Sequence, residues 1–301
     1  MILPQLLPHC NHSHFCDSCR SLEKGRSFRT GVLVRQGIDF DIDFECPKGK
    51  PWNHEMIYNC IYYVCPILEM SHEWKNNITV FQKYAGIFNG KKVVLVAQGE
   101  GLASLATVRD YFNDSSFQFI PMKNNTQLGE VIPFMAGLRF VKSTKPNEAT
   151  FYAHAKGVSP KYKTRSTMLQ NIRIWRTAMY HFNLSDPYLI EEKLKTHNAC
   201  GCFQSTYGFD GVADWHFAGT FFWFKHEKIF NEDWEKIRLR RHGVEIYLDQ
   251  FMPKEEAYNI YPKQRNMINA YKAKTSDWVR FFETTDLPYK QVLALTEATN
   301  D

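Results

Sequence analysis

The sequence predicts an α/β fold, a mostly parallel β-sheet flanked by helices, behind a small cysteine-rich module at the N-terminus. Three observations lead there. Short β-branched and aromatic runs alternate with segments of helical period from residue 56 to residue 154. The runs end at polar or Pro/Gly-bearing turns, as the strands of a βαβ succession do. Four of the eight cysteines fall within the first 46 residues, where aliphatic side chains are scarce.

The cysteines organise the predicted module, residues 1–50. Cys16 and Cys19 form a Cys-x-x-Cys turn that brings two thiolates to one ion, and Cys10 and Cys46 complete a tetrahedron. His9, His12 and His14 compete for one position. A segment with so little core gains its folding energy from a structural ion, and histidines crowding the site favour zinc over an iron–sulfur cluster. Four sealed ligands make the role structural. Unmetallated surface thiols are the plainer alternative. Lys48-Gly49-Lys50-Pro51 reads as the hinge into the main domain, residues 51–301.

The main domain opens with Ile57–Cys65, a buried strand stopped by Pro66. Trp74, Ile78, Phe81, Tyr84 and Phe88 then recur at helical steps, with Ser71 as N-cap and Asn89-Gly90 as terminator. Val93–Ala97 is the second strand. A helix over about 102–112, a strand at Phe117–Ile120, a helix over 128–140 with Pro133 in its first turn, and a strand at Thr150–Ala153 follow. Ligands bind at the carboxyl ends of strands in such sheets, so the turns after strands carry the functional candidates.

Composition bounds the function. Apolar residues at 44% and aromatics at 15% supply a core and exclude global disorder. A net charge of +5 tolerates a phosphorylated ligand or polyanion without diagnosing one. No run approaches the roughly 18–20 apolar residues of a membrane span. The start, Met1–Pro8, is too short and too proline-broken for a signal peptide, which predicts a cytoplasmic protein.

Three motifs carry chemistry. In Phe151-Tyr152-Ala153-His154-Ala155-Lys156-Gly157 a strand runs into a polar turn; Lys156 suits a diphosphate and Gly157 permits close backbone approach. In Asn171–Tyr180 an apolar stripe (Met168, Ile172, Trp175, Met179, Phe182) marks a helix, and Arg176 beside it faces an anion or solvent. Trp215–Phe224 reads as one buried strand interrupted by Gly219 and Thr220, a polar handle in an aromatic slot that includes Trp223.

In order and spacing, His154-x-Lys156-Gly157, Trp175-Arg176, Ala199–Phe203 and His216-Phe217-x-Gly219-Thr220-Phe221-x-Trp223 resemble a little-characterised family of GT-A-type glycosyltransferases over residues 56–262. Asn125–Glu130 and Gly243–Leu248 resemble its pattern too. The resemblance implies a GT-A-like (Rossmann-like) sheet and transfer of a sugar from a nucleotide-sugar donor to a hydroxyl of a glycan, lipid-linked sugar or protein. It implies that His154 and Lys156 hold the donor diphosphate, that Glu130 lies near the nucleotide-sugar, and that His216, Gly219 and Thr220 shape the sugar and acceptor pocket. Glu245, expected to open a helix, is the preferred catalytic carboxylate, with Asp214 and Asp249 in reserve; a helix-dipole role for Glu245 is the alternative. The Asp-x-Asp that grips Mn²⁺ or Mg²⁺ in most metal-using GT-A enzymes is not at its usual place. Asp39–Asp43 precedes the first core strand, so a metal at the donor diphosphate is left open.

Other classes compete. Lys156, Lys161, Lys163 and Arg165, with Arg238, Arg240 and Arg241, interleave with aromatics as a nucleic-acid-binding protein would require, although basic runs are usually solvated faces. A zinc-bearing transferase acting on hydroxymethylated DNA bases would merge the two readings. A noncatalytic lectin-like protein is a third.

Overall fold

A computed structural model describes residues 55–206, 211–261, 269–285 and 287–297. The expected zinc ligands Cys10, Cys16, Cys19 and Cys46, the 1–50 module and Asp39–Asp43 lie outside the described residues. In chain order the strands are β1 (Ile57–Val64), β2 (Lys92–Gln98), β3 (Gln118–Lys123), β4 (Glu148–His154), β5 (Ala199–Gly201), β6 (Gln204–Ser205), β7 (His216–Phe217), β8 (Phe222–Lys225) and β9 (Ala257–Asn259). The helices are α1 (Ser71–Gln82), α2 (Leu105–Phe112), α3 (Val131–Val141), α4 (Ser166–Leu184), α5 (Pro187–Thr196), α6 (His226–Phe230), α7 (Thr275–Phe282) and α8 (Tyr289–Glu297).

Seven strands form one sheet in the order β3-β2-β1-β4-β8-β5-β9. β1 to β4 are mutually parallel, β8 runs antiparallel between β4 and β5, and β5 pairs parallel with β9. The protein is thus α/β and Rossmann-like, with a mostly parallel sheet flanked by helices. Among the described residues no helix is long and apolar enough to cross a membrane.

Alternation along the strands explains the layering. Tyr62 stacks on Phe81 of α1 at 4.5 Å between ring centroids, and Phe81 meets Tyr180 of α4, so α1 and α4 cover that face. Their neighbours Ile61 and Tyr63 point the other way, into a core with Phe134 and Leu138 of α3 and Val244, Tyr247 and Leu248. Because both faces are covered, β1 and β2 are apolar at nearly every position and their strand character is legible without alternation.

The chain visits β2 and β3 on one side of β1 and then places β4 on the other. That reversal opens a crevice at the carboxyl ends of β1 and β4. Tyr152 of β4 pairs with Phe222, the first residue of β8, so the turn before β8 arrives at the same edge. At the opposite edge a buried polar network ties strand starts together. His226 Nε2 lies 2.6 Å from Thr150 Oγ1, its Nδ1 lies 3.3 Å from Glu148 Oε2, and Asn59 Nδ2 donates to Glu148 at 3.3 Å.

Three local expectations differ from the structure. Ser71 is the first residue of α1 and not its cap; Met70 holds the cap position with no side-chain hydrogen bond. Trp215–Phe224 is not one strand. Gly219 at φ +92° and Thr220 at φ +65° turn the chain between β7, which pairs with β6, and β8 in the main sheet. Glu245 does not open a helix either, but sits in consecutive turns that lead to a 3-10 turn at Leu248–Gln250.

Candidate functional site at the carboxyl edge of the sheet

β4 ends at His154 and delivers the turn Ala155-Lys156-Gly157 to the crevice. The turn is held from below by α1. The Asn77 side-chain amide donates to the Lys156 carbonyl and accepts from the Lys156 N–H, both at 2.9 Å, so a side chain replaces the strand neighbour that the backbone has lost. Arg176 Nη1 adds a second donor to the Lys156 carbonyl at 3.2 Å. Gly157 has φ +85°, and a Cβ there would stand 2.9 Å from Ile172 Cγ2. The close approach that requires glycine is therefore made by α4.

The Lys156 ammonium lies over the Trp175 ring, 4.3 Å from its centroid, and makes no ion pair among the described residues. Burial pulls its pKa down, while the charges of Glu245 and Glu130 nearby work the other way. A half-buried cation facing two carboxylates without touching either is available to an anionic ligand.

Glu130 caps α3, immediately after an Asn125 turn in which Asn125 Oδ1 accepts from the Gln127 and Leu128 N–H groups at 3.1 and 3.0 Å. Its carboxylate organises three elements. Oε2 accepts from the Tyr152 hydroxyl at 2.8 Å and lies 3.0 Å from His154 Nδ1, and Oε1 accepts from the Thr220 hydroxyl at 3.1 Å. Burial opposes its ionisation, but His154, Tyr152 and Lys156 outweigh it and lower the pKa. His154 Nε2 meets the Gly219 carbonyl at 3.2 Å. Both ring nitrogens thus face oxygen atoms, which fixes the orientation of the ring between Glu130 and the Gly219 carbonyl.

Across the crevice the Gly219 N–H donates to Glu245 Oε1 at 2.9 Å, and His242 Nδ1 lies 3.3 Å from Glu245 Oε2. Burial would raise the Glu245 pKa; the His242 hydrogen bond, the Lys156 charge, the Gly219 N–H and His216 together bring it down to about 2. His216 of β7 is buried, which lowers its own pKa, with Glu245 opposing. A Cβ on Gly219 would stand 2.7 Å from Met179 Sδ and 3.1 Å from Trp175 Cζ2, so here too α4 excludes a side chain.

Glu130, His154, Lys156, Gly157, His216, Gly219, Thr220 and Glu245 therefore converge, by direct bonds or through their charges. Other expected site residues do not join them. Arg176 is fully buried, and its guanidinium binds Glu73, Asn76 and the Lys156 carbonyl. It supports the turn and is not presented to a ligand. Trp223 is also fully buried, with its Nε1–H donating to the Asn183 carbonyl at 2.9 Å, and belongs to the core. Asp214 is exposed and its N–H donates to Asp249 Oδ1 at 3.2 Å; neither carboxylate is bonded to Glu130, His154 or Glu245. Lys161, Lys163 and Arg165, like Arg238, Arg240 and Arg241, are exposed.

Sequence reasoning missed Tyr152, Asn77, Glu73 and His242. Tyr152 was detectable, being a polar aromatic two residues before His154. Asn77 and Glu73 lie on a helix that also carries His72, Lys75, Asn76 and Gln82, so nothing local singles them out as the buried pair. Among the described residues no group of three or more His, Cys, Asp or Glu is placed to hold a metal ion. Glu130 already spends both oxygens on Tyr152, His154 and Thr220, so the donor set does not fit a divalent cation there. Compared with protein-family models, with curated proteins and with solved structures, the chain finds no match in any of the three.

Proposed function

We propose that this protein is a nucleotide-sugar-dependent glycosyltransferase with a GT-A-like core. The observation that carries the reading is that, at the switch point of a parallel sheet, Lys156, a cation with no ion-pair partner among the described residues, lies within electrostatic reach of the Glu245 carboxylate. Lys156 offers positive charge to a diphosphate. Its position after β4 is where ligands of such sheets bind.

In the proposed reaction the acceptor hydroxyl attacks the anomeric carbon as the bond to the diphosphate oxygen breaks. The nucleoside diphosphate departs with its new negative charge beside Lys156 and His154, and the hydroxyl proton passes to Glu245. Glu245 is favoured over Glu130 as base because the Glu130 oxygens are both engaged by core partners, whereas Glu245 Oε2 lies 3.3 Å from the half-exposed His242. A carboxylate with a pKa near 2 is a weak base. Binding a diphosphate at Lys156 neutralises one of the charges that lowers it and adds negative charge beside it, which raises its basicity when donor is present. No step is routed through a metal.

Thermal unfolding in the presence of a panel of nucleotide-sugars tests the reading. At least one donor raises the midpoint of the wild type, and Lys156→Ala abolishes that rise. If no donor stabilises the wild type, or if Lys156→Ala is stabilised equally, the donor site is not here.

A further inference from the structure

A different part of the molecule gathers cationic side chains around a groove. An open groove of about 830 Å³ runs between the first turns of α4 and the Lys272–Thr275 segment that leads into α7. Its size falls within the ~300–1,000 Å³ typical of small-molecule sites. None of its lining residues belongs to the Lys156–Glu245 cluster. Lys163, Arg173, Lys272 and Lys274 line it, and no carboxylate does so among the described residues.

The availability of these charges decides what the groove can take. Lys272 and Lys274 make no ion pair among the described residues, and both are exposed. Lys163 lies 3.6 Å from Glu69, with both side chains mostly in water, a pairing worth little. Arg173 is committed to Glu73, its Nε donating to Oε1 at 3.0 Å, so it adds positive potential more than a free hydrogen-bonding fork. Ser166 and Thr275 add hydroxyls to the lining, and the N-cap of α4, Arg165, offers no side-chain hydrogen bond to its first turn. Three lysines with little or no competition, around a groove lined by no carboxylate among the described residues, match a ligand bearing several negative charges.

We propose that this groove binds a small molecule carrying two or more phosphate groups, separately from the site at β4. It does not depend on the transferase reading.

Calorimetric titration of the full chain with inorganic tripolyphosphate, at fixed ionic strength, tests this. Wild type is expected to bind, and Lys272→Glu with Lys274→Glu to weaken binding at least about tenfold while keeping the wild-type melting point. If that pair of changes unfolds the protein, Lys272→Gln with Lys274→Gln is used in its place. Lys156→Ala and Arg139→Glu, on α3 at the other face of the sheet, are expected to retain binding. Absence of binding, an affinity unchanged at 272 and 274, or equal weakening at 139 would overturn the proposal. Loss through Lys156→Ala alone would do so too, because it moves the probe to the β4 site. Stabilisation by a nucleotide-sugar should persist in the Lys272/Lys274 variant, so the two readings fail independently.

Discussion

The Gly219 N–H donates to Glu245 Oε1 over 2.9 Å, joining the turn before β8 to a segment 26 residues later in the chain. The Gly219 carbonyl meets His154 at the same time. One peptide-flanked residue thus fixes the spacing between the histidine that ends β4 and the carboxylate that faces it. The turn makes both bonds with Gly219 at φ +92°.

Gly219→Ala therefore meets two obstacles, a left-handed backbone and a Cβ at 2.7 Å from Met179 Sδ. The expected loss of stability is about 2–4 kcal/mol. Urea denaturation reads it directly, and a change within the scatter of surface substitutions would show that α4 yields more easily than its packing implies.

Glu245→Gln keeps an oxygen for the Gly219 N–H but cannot take a proton. In the proposed reaction, turnover falls by roughly 10²–10⁴ while donor-induced stabilisation is retained. Glu130→Gln behaves differently, weakening the contacts to Tyr152, His154 and Thr220 and lowering the melting point. Undiminished turnover in Glu245→Gln would remove its assignment as base.

Arg176→Met strips one partner from Glu73, which is itself buried. Breaking such a pair costs about 3–5 kcal/mol because a charge is left behind in a poor solvent. Glu73→Gln in the same chain should recover part of that loss. A double variant no better than the single one would mean that Arg173 already satisfies Glu73.

These contrasts mark what the sequence made legible. The strands β1, β2 and β4 were readable because both faces of each are buried, leaving dense β-branched and aromatic runs. The same density misled at Trp215–Phe224, where apolar content says that the chain is buried but not that it reverses; Gly219-Thr220 held that information. His154 and Lys156 were found because they follow a strand. Arg176 looked like an anion-binding side chain because its partner, Glu73, lies 103 residues away on α1. Long-range pairing of that kind leaves no local period or spacing to detect.

The amino edge of the sheet offers a pH test. Burial, opposed by Glu148 and aided by Lys91, lowers the His226 pKa from 6.5 to about 4. Between those values the unfolded chain binds the proton and the folded chain does not, so stability is intact above 6.5 and declines as pH falls towards 4. The decline attributable to this residue is about 3 kcal/mol. Urea midpoints followed down this range should fall less steeply in His226→Gln than in the wild type; equal slopes would place the protonation elsewhere.

Asn77 anchors the Lys156 peptide at both its polar atoms. The ammonium is therefore mounted on the helical layer, although its residue follows a strand. A displacement of α1 reaches the charge, while the Ala155 N–H, donating to the Tyr63 carbonyl at 2.8 Å, keeps the same turn tied to the sheet. Lys156 thus registers movement in both layers at once.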